Sequence, residues 1–305
     1  MNTIKVKSPA TVANLVCGFD ILGLCLNNPC DEFTLSFSDN VGVTIVNEDG
    51  YNLPTDATKN VSGVALLKIL EQEKDIKGFH LVSNKIIKPG SGIGSSAASA
   101  AGVVVAANHL LGNKYFKQQL VDFAMFGEEV ASGAKHADNI APAVFGGITL
   151  IRSNNPLDII SIDYPELFVT ILHPQIEVKT ADARSILPKE IPIKNAVTQW
   201  ANVAGLVTGF MQHDYGLISR SLEDVVVEPY RSKLIPYFYE VKNACLKAGA
   251  LGGGISGSGP SIFMLSKTAE IAAGVELAMK IVYGKTGIEF HTHISTINNE
   301  GVKIL

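Results

Sequence analysis

A glycine-rich segment of the chain has the composition of an anion-binding loop. It reads Pro-Gly-Ser-Gly-Ile-Gly-Ser-Ser-Ala-Ala from Pro89 to Ala98 and leads from a strand-like stretch into an Ala-rich helix. Glycine lets the backbone approach phosphate oxygens, and the first turn of a helix offers unpaired N–H groups at the positive end of its dipole. We therefore predict a phosphate-binding loop made of Pro89, Gly90, Ser91, Gly92, Ile93, Gly94, Ser95, Ser96, Ala97 and Ala98.

The two commonest nucleotide-binding motifs do not describe this loop. A Walker A loop requires Gly-Lys followed by Ser or Thr. A dinucleotide-binding loop expects an acidic residue about 20 positions on, where this chain has Lys114. The alternative to phosphate binding is a tight turn that needs glycine only for packing. Taken alone, the loop leaves both interpretations open.

Two adjacent glutamates in a predicted helix face different directions. The apolar residues between Leu120 and Gly127 define one face of the helix; Glu128 falls on the edge of that face and Glu129 on the opposite side. We expect Glu128 to reach a cleft and Glu129 to face solvent. A pair of glutamates on a solvated helix is the alternative.

Composition places these residues in a globular protein with a large core. Of the 305 residues, 47% are hydrophobic and 18% are charged, which is below the roughly 25% charged residues of an average globular protein. The net charge is −4 and no Lys/Arg run is interleaved with aromatic residues, so nucleic acid is not an expected partner. The four cysteines form no CxxC pair, and we predict reduced thiols rather than metal ligands.

The chain shows no targeting or membrane-spanning pattern. The stretch from Met1 to Lys7 alternates like a strand and lacks the apolar region of a signal peptide. The most apolar stretch, from Ala97 to Leu111, falls short of the roughly 20 residues that span a bilayer, so it predicts a buried helix. We expect a cytoplasmic protein that does not associate with membranes.

Hydrophobic periodicity and turn residues predict two α+β domains with largely antiparallel sheets. The polar turn Asn154-Asn155-Pro156 is the best candidate linker, which gives domains at 1–153 and 154–305. In the first domain we predict strands at 4–7, 32–37, 42–46, 79–87 and 148–152 and helices at 61–72, 96–111 and 117–131. In the second we predict a strand at 167–173, helices at 196–212, 216–222, 234–248 and 269–283, and a hairpin at 252–265.

Three segments together resemble the motifs of the GHMP kinases. The phosphate loop resembles the central motif of that superfamily, the segment from Pro9 to Asp20 its N-terminal motif, and the glycine-rich segment from Gly252 to Phe263 its C-terminal motif. Their order and spacing match across nearly the whole chain. One departure lies in the first motif, where the superfamily commonly has Asn-Leu-Gly-Pro-Gly-Phe-Asp and this chain has Asn14-Leu-Val-Cys-Gly-Phe-Asp20.

The resemblance implies a fold, a reaction and a nucleotide site. The fold has an N-terminal mixed α/β domain that carries the phosphate loop, a ferredoxin-like C-terminal domain, and an active site in the cleft between them. The reaction is phosphoryl transfer from ATP, with the loop holding the phosphates and Mg²⁺ bound by Glu128 and Ser96. Asn60, at the start of the helix after the first strands, is a candidate for contacting the adenine base.

Other segments are similar to those of one branch of the superfamily, the homoserine kinases. They are Glu128 together with His136-Ala-Asp-Asn-Ile-Ala-Pro, and the segments around Arg184 and Arg231. The two arginines would hold the carboxylate of L-homoserine, because a guanidinium fork matches a carboxylate bidentately, and Asp20 would hold the amino group. The product would be O-phospho-L-homoserine, an intermediate of threonine biosynthesis, and a homodimer is common in the family.

The resemblance places further residues near the reacting hydroxyl. Asn14 and Asn139 would surround it, with Thr180 nearby. His136 has two interpretations, a direct role in the chemistry or a hydrogen-bonded structural residue beside Asp138. The competing functions are another GHMP kinase for mevalonate or a sugar, a decarboxylating relative, and a sensor that binds nucleotide without turnover.

Overall fold

Segments rich in β-branched and aromatic residues form two sheets whose strands are mostly antiparallel. The Ala- and Leu-rich segments between those strands form the helices that cover the sheets. The computed structural model describes residues 3–305. The strands are β1 (Thr3–Ala13), β2 (Leu22–Ser38), β3 (Gly42–Asn47), β4 (Gly78–Asn84), β5 (Ile148–Asn154), β6 (Leu157–Ile162), β7 (Phe168–Pro174), β8 (Gly252–Ile255), β9 (Ile262–Ser266), β10 (Phe290–Thr296) and β11 (Lys303–Ile304). The helices are α1 (Val61–Gln72), α2 (Ser95–Leu110), α3 (Lys117–Ser132), α4 (Ile140–Phe145), α5 (Thr180–Ser185), α6 (Ile193–Met211), α7 (Tyr215–Ser221), α8 (Glu228–Arg231), α9 (Phe238–Lys247) and α10 (Ala269–Tyr283).

The first sheet is mixed and built around the long strand β2. Its main path runs β11-β1-β2-β4-β3, and β5 and β6 continue from the beginning of β2. The pairing of β3 with β4 is parallel, while the other pairings in this sheet are antiparallel. Helix α2 is buried along almost its whole length against this sheet, which its small residues permit: a Cβ on Gly102 would lie 2.6 Å from the ring of Phe33.

The second sheet has the strand order β10-β7-β9-β8, with all neighbours antiparallel. If β7, β8, β9 and β10 are numbered 1 to 4 along the chain, their order across the sheet is 4-1-3-2. Helices follow the first and third of these strands, and this is the ferredoxin-like arrangement. Helices α9 and α10 cover one face of the sheet and enclose a core that includes Phe238, Val241 and Tyr283. The predicted fold class is therefore confirmed.

The two sheets also share a core. A cluster of buried residues combines Val12 and Leu24 of the first sheet with Ile171 and Phe263 of the second, and Phe210 of α6 packs into it. Since burial of apolar surface is the main favourable term in folding, this shared cluster fixes the two sheets against each other.

The predicted linker has a different role in the structure. Asn154, Asn155 and Pro156 form the turn between β5 and β6, which pair with each other in the first sheet. The chain leaves the first sheet only after Ile162, and it returns at its far end, where β11 pairs with β1 and Ile297 bridges to Leu26 of β2. The boundary between the two sheets therefore does not lie at 153/154 along the chain.

Other predictions can be compared directly. The predicted helices at 61–72 and 117–131 agree with α1 and α3. The strands β6, β10 and β11 and the short helices α4, α5 and α8 were not predicted. All four cysteines are free thiols, three of them buried, as predicted. No helix within residues 3–305 is long and apolar enough to cross a bilayer.

Candidate active site

A cavity of about 770 Å³ lies between the phosphate loop, the end of α3 and the segments that carry the two arginines. Most of the predicted site residues line it: Asn14, Asp20, Asn60, Pro89, Gly90, Gly92, Gly94, Ser95, Ser96, Glu128, His136, Asn139, Thr180, Arg184 and Arg231. Four predicted phosphate-loop residues do not line it, namely Ser91, Ile93, Ala97 and Ala98, and all four are buried.

Two glycines of the loop are required by close packing against other segments. A Cβ on Gly92 would lie 2.5 Å from the carbonyl oxygen of Gly259, in the turn of the third motif. A Cβ on Gly94 would lie 2.0 Å from Oγ1 of Thr11 and 3.0 Å from Oδ1 of Asn139, and both glycines have a positive φ. The packing explanation thus applies to these two positions, while the loop still opens onto the cavity at the start of α2.

A buried lysine supports the loop from beneath. The ammonium of Lys85 forms an ion pair with Asp31 and donates to the carbonyl oxygen of Ser95 at 3.1 Å and to Oγ of Ser99 at 2.8 Å. The hydroxyl of Ser95 donates to the carbonyl oxygen of Ile87 at 2.8 Å. Ser95 is therefore held inside the protein, and Ser96 is the loop serine whose hydroxyl remains available to a ligand.

The N-terminal motif folds back on itself through Asn14. Oδ1 of Asn14 accepts from the backbone N–H of Asp20 at 3.0 Å, and Nδ2 donates to the carbonyl oxygen of Gly257 at 2.8 Å. One N–H of the amide remains for a ligand. The departure at Val16 has a structural cost, because this β-branched residue replaces the glycine common in the superfamily and has a φ of 68°.

The side chains of Arg184, Asp20 and His136 meet at one wall of the cavity. Nη2 of Arg184 donates to both carboxylate oxygens of Asp20 and to Nε2 of His136, which lies 3.2 Å away. Because arginine can only donate, Nε2 must be the unprotonated nitrogen of the ring. Burial lowers the pKa of His136 against an upward effect of the Asp20 charge, and the two nearby arginines act in the same direction as burial. This arrangement favours a neutral His136 that orients Arg184.

Arg231 is buried and already shares its donors with the protein. Its Nε donates to the carbonyl oxygen of Ala183 at 3.0 Å, and its Nη1 donates to that of Gly257 at 2.9 Å. The same Gly257 oxygen accepts from Asn14. Arg231 therefore connects α5 to the third motif while the rest of its guanidinium faces the cavity.

Two acidic side chains in the cavity, Glu128 and Asp138, have pKa values above their ordinary range. Burial raises the pKa of Glu128 to about 7, against a downward effect of the Ser96 hydroxyl and a further upward effect of Asp138. Burial also raises the pKa of Asp138 to about 7, and the charge of Asp20 acts in the same direction. Oε2 of Glu128 is buried without a hydrogen-bond partner, whereas Glu129 is exposed, so the predicted directions of the two glutamates are confirmed.

Two further predicted residues contact neighbouring polar groups. Oγ1 of Thr11 donates to Oδ1 of Asn139 at 2.8 Å, which leaves the amide nitrogen of Asn139 to the cavity. Oγ1 of Thr180 lies 3.3 Å from Oγ of Ser258, in the third motif. The two contacts join residues that are 128 and 78 positions apart in the sequence.

Asn60, predicted as a candidate contact to the adenine base, caps a helix in the structure. Its Oδ1 caps α1 by accepting from the N–H of Gly63 at 3.1 Å, and its Nδ2 donates to the carbonyl oxygen of Pro54. Both ends of the amide are thus in use, although the residue borders the cavity.

Sequence reasoning did not single out several other polar residues that line the cavity, among them Lys85, Asp138 and Ser258. Asp138 lies inside a motif that was recognised, so its neighbours could have indicated it. Lys85 has no local signal, since its ion pair with Asp31 joins two residues 54 positions apart. Within residues 3–305, no group of three or more His, Cys, Asp and Glu side chains is arranged to hold a metal ion.

Comparison with known proteins gives matches over the whole chain. The family model for the GHMP kinases N terminal domain matches residues 60–147, and the model for the GHMP kinases C terminal domain matches residues 206–285. The homoserine kinase of Chloroherpeton thalassium is 47% identical over 319 aligned positions that cover 100% of both chains. The homoserine kinase of Methanococcus maripaludis is 43% identical over 273 positions, covering 89% of this chain and 90% of the relative.

Solved structures agree with these matches. The crystal structure of homoserine kinase from Cytophaga hutchinsonii has a TM-score of 0.96 at 48% identity and covers 100% of this chain and 98% of its own. Mevalonate kinase from L. major, at 15% identity and a TM-score of 0.73, shares the fold. The fold and its cleft are those of a GHMP kinase, and the chain belongs to that superfamily. Within it, the chain is a member of the homoserine kinase family.

Proposed function

We propose that this chain transfers the γ-phosphate of ATP to the side-chain hydroxyl of L-homoserine and releases O-phospho-L-homoserine and ADP. The observation that carries the proposal is that one cavity combines a phosphate-type loop with a set of charges that matches an amino acid. That set consists of the carboxylate of Asp20 and the guanidinium groups of Arg184 and Arg231. An uncharged acceptor such as a sugar has no use for these charges.

Recognition of the acceptor rests on an exchange of ionic partners. The carboxylate of homoserine takes the place of Asp20 on Arg184 and contacts Arg231, while its ammonium group binds Asp20. Charge-assisted hydrogen bonds of this kind are stronger than neutral ones, and the planar guanidinium fork matches a carboxylate bidentately. His136 keeps Arg184 in place through its unprotonated Nε2.

The phosphates of ATP are assigned to the loop at the start of α2. The first N–H groups of α2 and the hydroxyl of Ser96 supply donors to phosphate oxygens, and the helix dipole favours their negative charge. Lys85 holds the first residue of the helix from below and so fixes the direction in which these donors point. Positioning and charge stabilisation are the main demands of phosphoryl transfer.

The residues at the end of α3 fit a magnesium ion. Oε2 of Glu128 is a buried acceptor without a partner, and Ser96 is its neighbour across the cleft. Mg²⁺ is commonly held by one or two carboxylates together with substrate phosphates, so Glu128 and Ser96 are the residues that would hold it. The ion would neutralise charge on the phosphate oxygens.

The chemical step needs little covalent help from the protein. The acceptor oxygen forms a bond to the γ-phosphorus, the bond from that phosphorus to the bridging oxygen of ADP breaks, and the hydroxyl proton leaves to phosphate or water. Asn139 offers its amide N–H groups, and Asn14 its one remaining N–H, to the reacting oxygens. No side chain is assigned as a general base.

A coupled assay of ADP release tests this function against its rivals. Homoserine, mevalonate, galactose and shikimate are supplied separately, with a reaction that contains no acceptor as the background. We expect ADP release well above background with homoserine alone, and phosphorus NMR should identify one phosphate monoester on the side-chain oxygen. Preference for mevalonate or galactose would overturn the acceptor assignment, and nucleotide binding without turnover on any acceptor would favour a sensor.

A further inference from the structure

The ring of Phe19 contacts both arginines of the acceptor site. Its centroid lies 5.4 Å from Cζ of Arg184 and 4.9 Å from Cζ of Arg231. A guanidinium within about 6 Å of an aromatic centroid is attracted by the negative face of the ring, most strongly where water is excluded. Arg231 is buried and Phe19 is half-buried. Phe19 does not itself line the cavity, so it reaches the acceptor site only through the two arginines.

The backbone holds this ring in a fixed place. Phe19 lies in the loop that Asn14 closes, between Gly18, whose N–H donates to the carbonyl oxygen of Asn14 at 2.8 Å, and Asp20, whose N–H donates to Oδ1 of the same residue at 3.0 Å. Asp20 has a left-handed backbone with a φ of 62°, which turns its carboxylate toward Arg184. The ring and the carboxylate are therefore presented by adjacent residues of one rigid turn.

The two guanidinium groups need something to hold them side by side. They carry like charges, and the carboxylate of Asp20 is hydrogen-bonded to Arg184 alone. Arg231 is anchored instead by two carbonyl oxygens, which fix one edge of its guanidinium. Phe19 is the group that both arginines contact, and its attraction offsets part of their mutual repulsion.

We propose that Phe19 is a positioning residue, which holds the guanidinium groups of Arg184 and Arg231 at the spacing where both can donate to one acceptor carboxylate. This rests on the proposed function, because it assigns a role within the same acceptor site. The ring acts through the arginines, so its loss affects the binding of carboxylate-bearing acceptors and leaves the transfer step largely intact. An acceptor without a carboxylate is insensitive to it.

Steady-state kinetics on Phe19→Leu and Phe19→Tyr test the role. We expect Phe19→Leu to raise KM for homoserine about tenfold, with kcat within about threefold of the wild type, because one aromatic contact to each arginine is lost. Phe19→Tyr keeps the π face and should stay within about threefold in both constants. With 3-amino-1-propanol, which lacks the carboxylate, Phe19→Leu should match the wild type.

A matched control separates positioning from general destabilisation. Phe37 is also half-buried and, like Phe19, does not line the cavity, but it stacks on Phe79 at the far end of β2. Phe37→Leu should lower the melting temperature and leave KM for homoserine unchanged. If Phe19→Leu fails to fold, replacement of Phe19 by pentafluorophenylalanine keeps the shape and reverses the electrostatics of the ring face, and we expect the same rise in KM.

The outcomes are distinguishable. An unchanged KM for homoserine in the variant at position 19, or an equal loss on both acceptors, overturns the positioning role while the proposed function stands. A wild-type protein that releases no ADP with homoserine overturns the proposed function itself, whatever the variants do.

Discussion

Nη2 of Arg184 lies 3.0 and 2.9 Å from the two carboxylate oxygens of Asp20, so the residues proposed to bind opposite ends of the acceptor bind each other. An acceptor must replace this ion pair with two new ones, and only a molecule that carries both an ammonium group and a carboxylate can do so without leaving a charge unpaired. The pair therefore selects for zwitterions, since an unpaired charge in a partly buried site is costly.

Arg184→Ala tests this selection. We expect kcat/KM for homoserine to fall about 10- to 100-fold, because a charge-assisted contact of about 1.5–3 kcal/mol is lost. Activity with 3-amino-1-propanol should be low in the wild type and nearly unchanged in the variant. The melting temperature should change little, since Arg184 is exposed. Equal losses on both acceptors would show that the arginine does not bind the carboxylate.

Arg231→Ala should behave differently from Arg184→Ala. Its side chain is buried, and its removal leaves the carbonyl oxygens of Ala183 and Gly257 without their donors. We expect a loss of unfolding free energy of about 2 kcal/mol or more, together with reduced activity on both acceptors. Urea unfolding of the two variants side by side checks this. If both unfold at the wild-type midpoint, Arg231 has no structural role.

Glu128→Gln should lower kcat about a hundredfold or more, because it removes the buried carboxylate oxygen that has no partner within the protein. Glu129→Gln is the matched control on the same helix, and it should retain activity because its side chain is exposed. Initial rates at saturating ATP and increasing magnesium concentration check the comparison. Similar rates in the two variants would remove Glu128 from the metal site.

The buried acids should make stability depend on pH. Burial raises the pKa of Glu128 from an ordinary 4.5, and that of Asp138 from an ordinary 3.8, to about 7 in each case. Between these values the folded state binds more protons than the unfolded state, so the unfolding free energy falls as pH rises from about 4 to about 7. Glu128→Gln combined with Asp138→Asn should flatten this dependence and raise the melting temperature at pH 8. An unaltered slope would contradict the assignment.

Gly94→Ala should reduce turnover through Asn139. The added methyl group would meet the hydroxyl of Thr11 and the amide oxygen of Asn139, and the hydrogen bond between those two residues would be lost. Gly90→Ala is a suitable control, since a Cβ there meets no atom within 4 Å and the backbone strain is similar. We expect a larger fall in kcat for Gly94→Ala, measured by ADP release. A larger fall for Gly90→Ala would contradict this explanation.

Residue spacing along the chain correctly predicted features that depend on neighbouring residues, such as helices and the face on which a side chain lies. The helix at 61–72 and the orientation of Glu128 follow from apolar spacing, and the structure agrees with both. The turn at Asn154–Pro156 was recognised as a turn, but a turn sequence does not reveal whether the next strand stays in the same sheet, and β6 does. Asn60 was predicted as a contact to the adenine base, and that remains a prediction; its role as the cap of α1 was found only in the structure.

The contacts that build the site were beyond such reasoning. Arg184 and Asp20 are 164 positions apart, and the link between Asn14 and Gly257 spans 243 positions. Resemblance to known motifs brought these segments together in one cleft, but it did not show that Asn14 and Arg231 share a carbonyl oxygen. That sharing depends on how two distant turns pack, which no single segment encodes.

The return of the chain to its first sheet restricts how substrates reach the cleft. The two halves are joined by the connection after Ile162 and again by the terminal strand β11, and the backbone of Asn27 on β2 is fastened to Ser295 on β10 at 2.9 Å. Because these connections hold the two halves together at two places, the halves cannot separate by a hinge motion. We therefore expect nucleotide and acceptor to enter through movement of the short segments at the rim, such as 177–181, while the walls of the cleft stay in place.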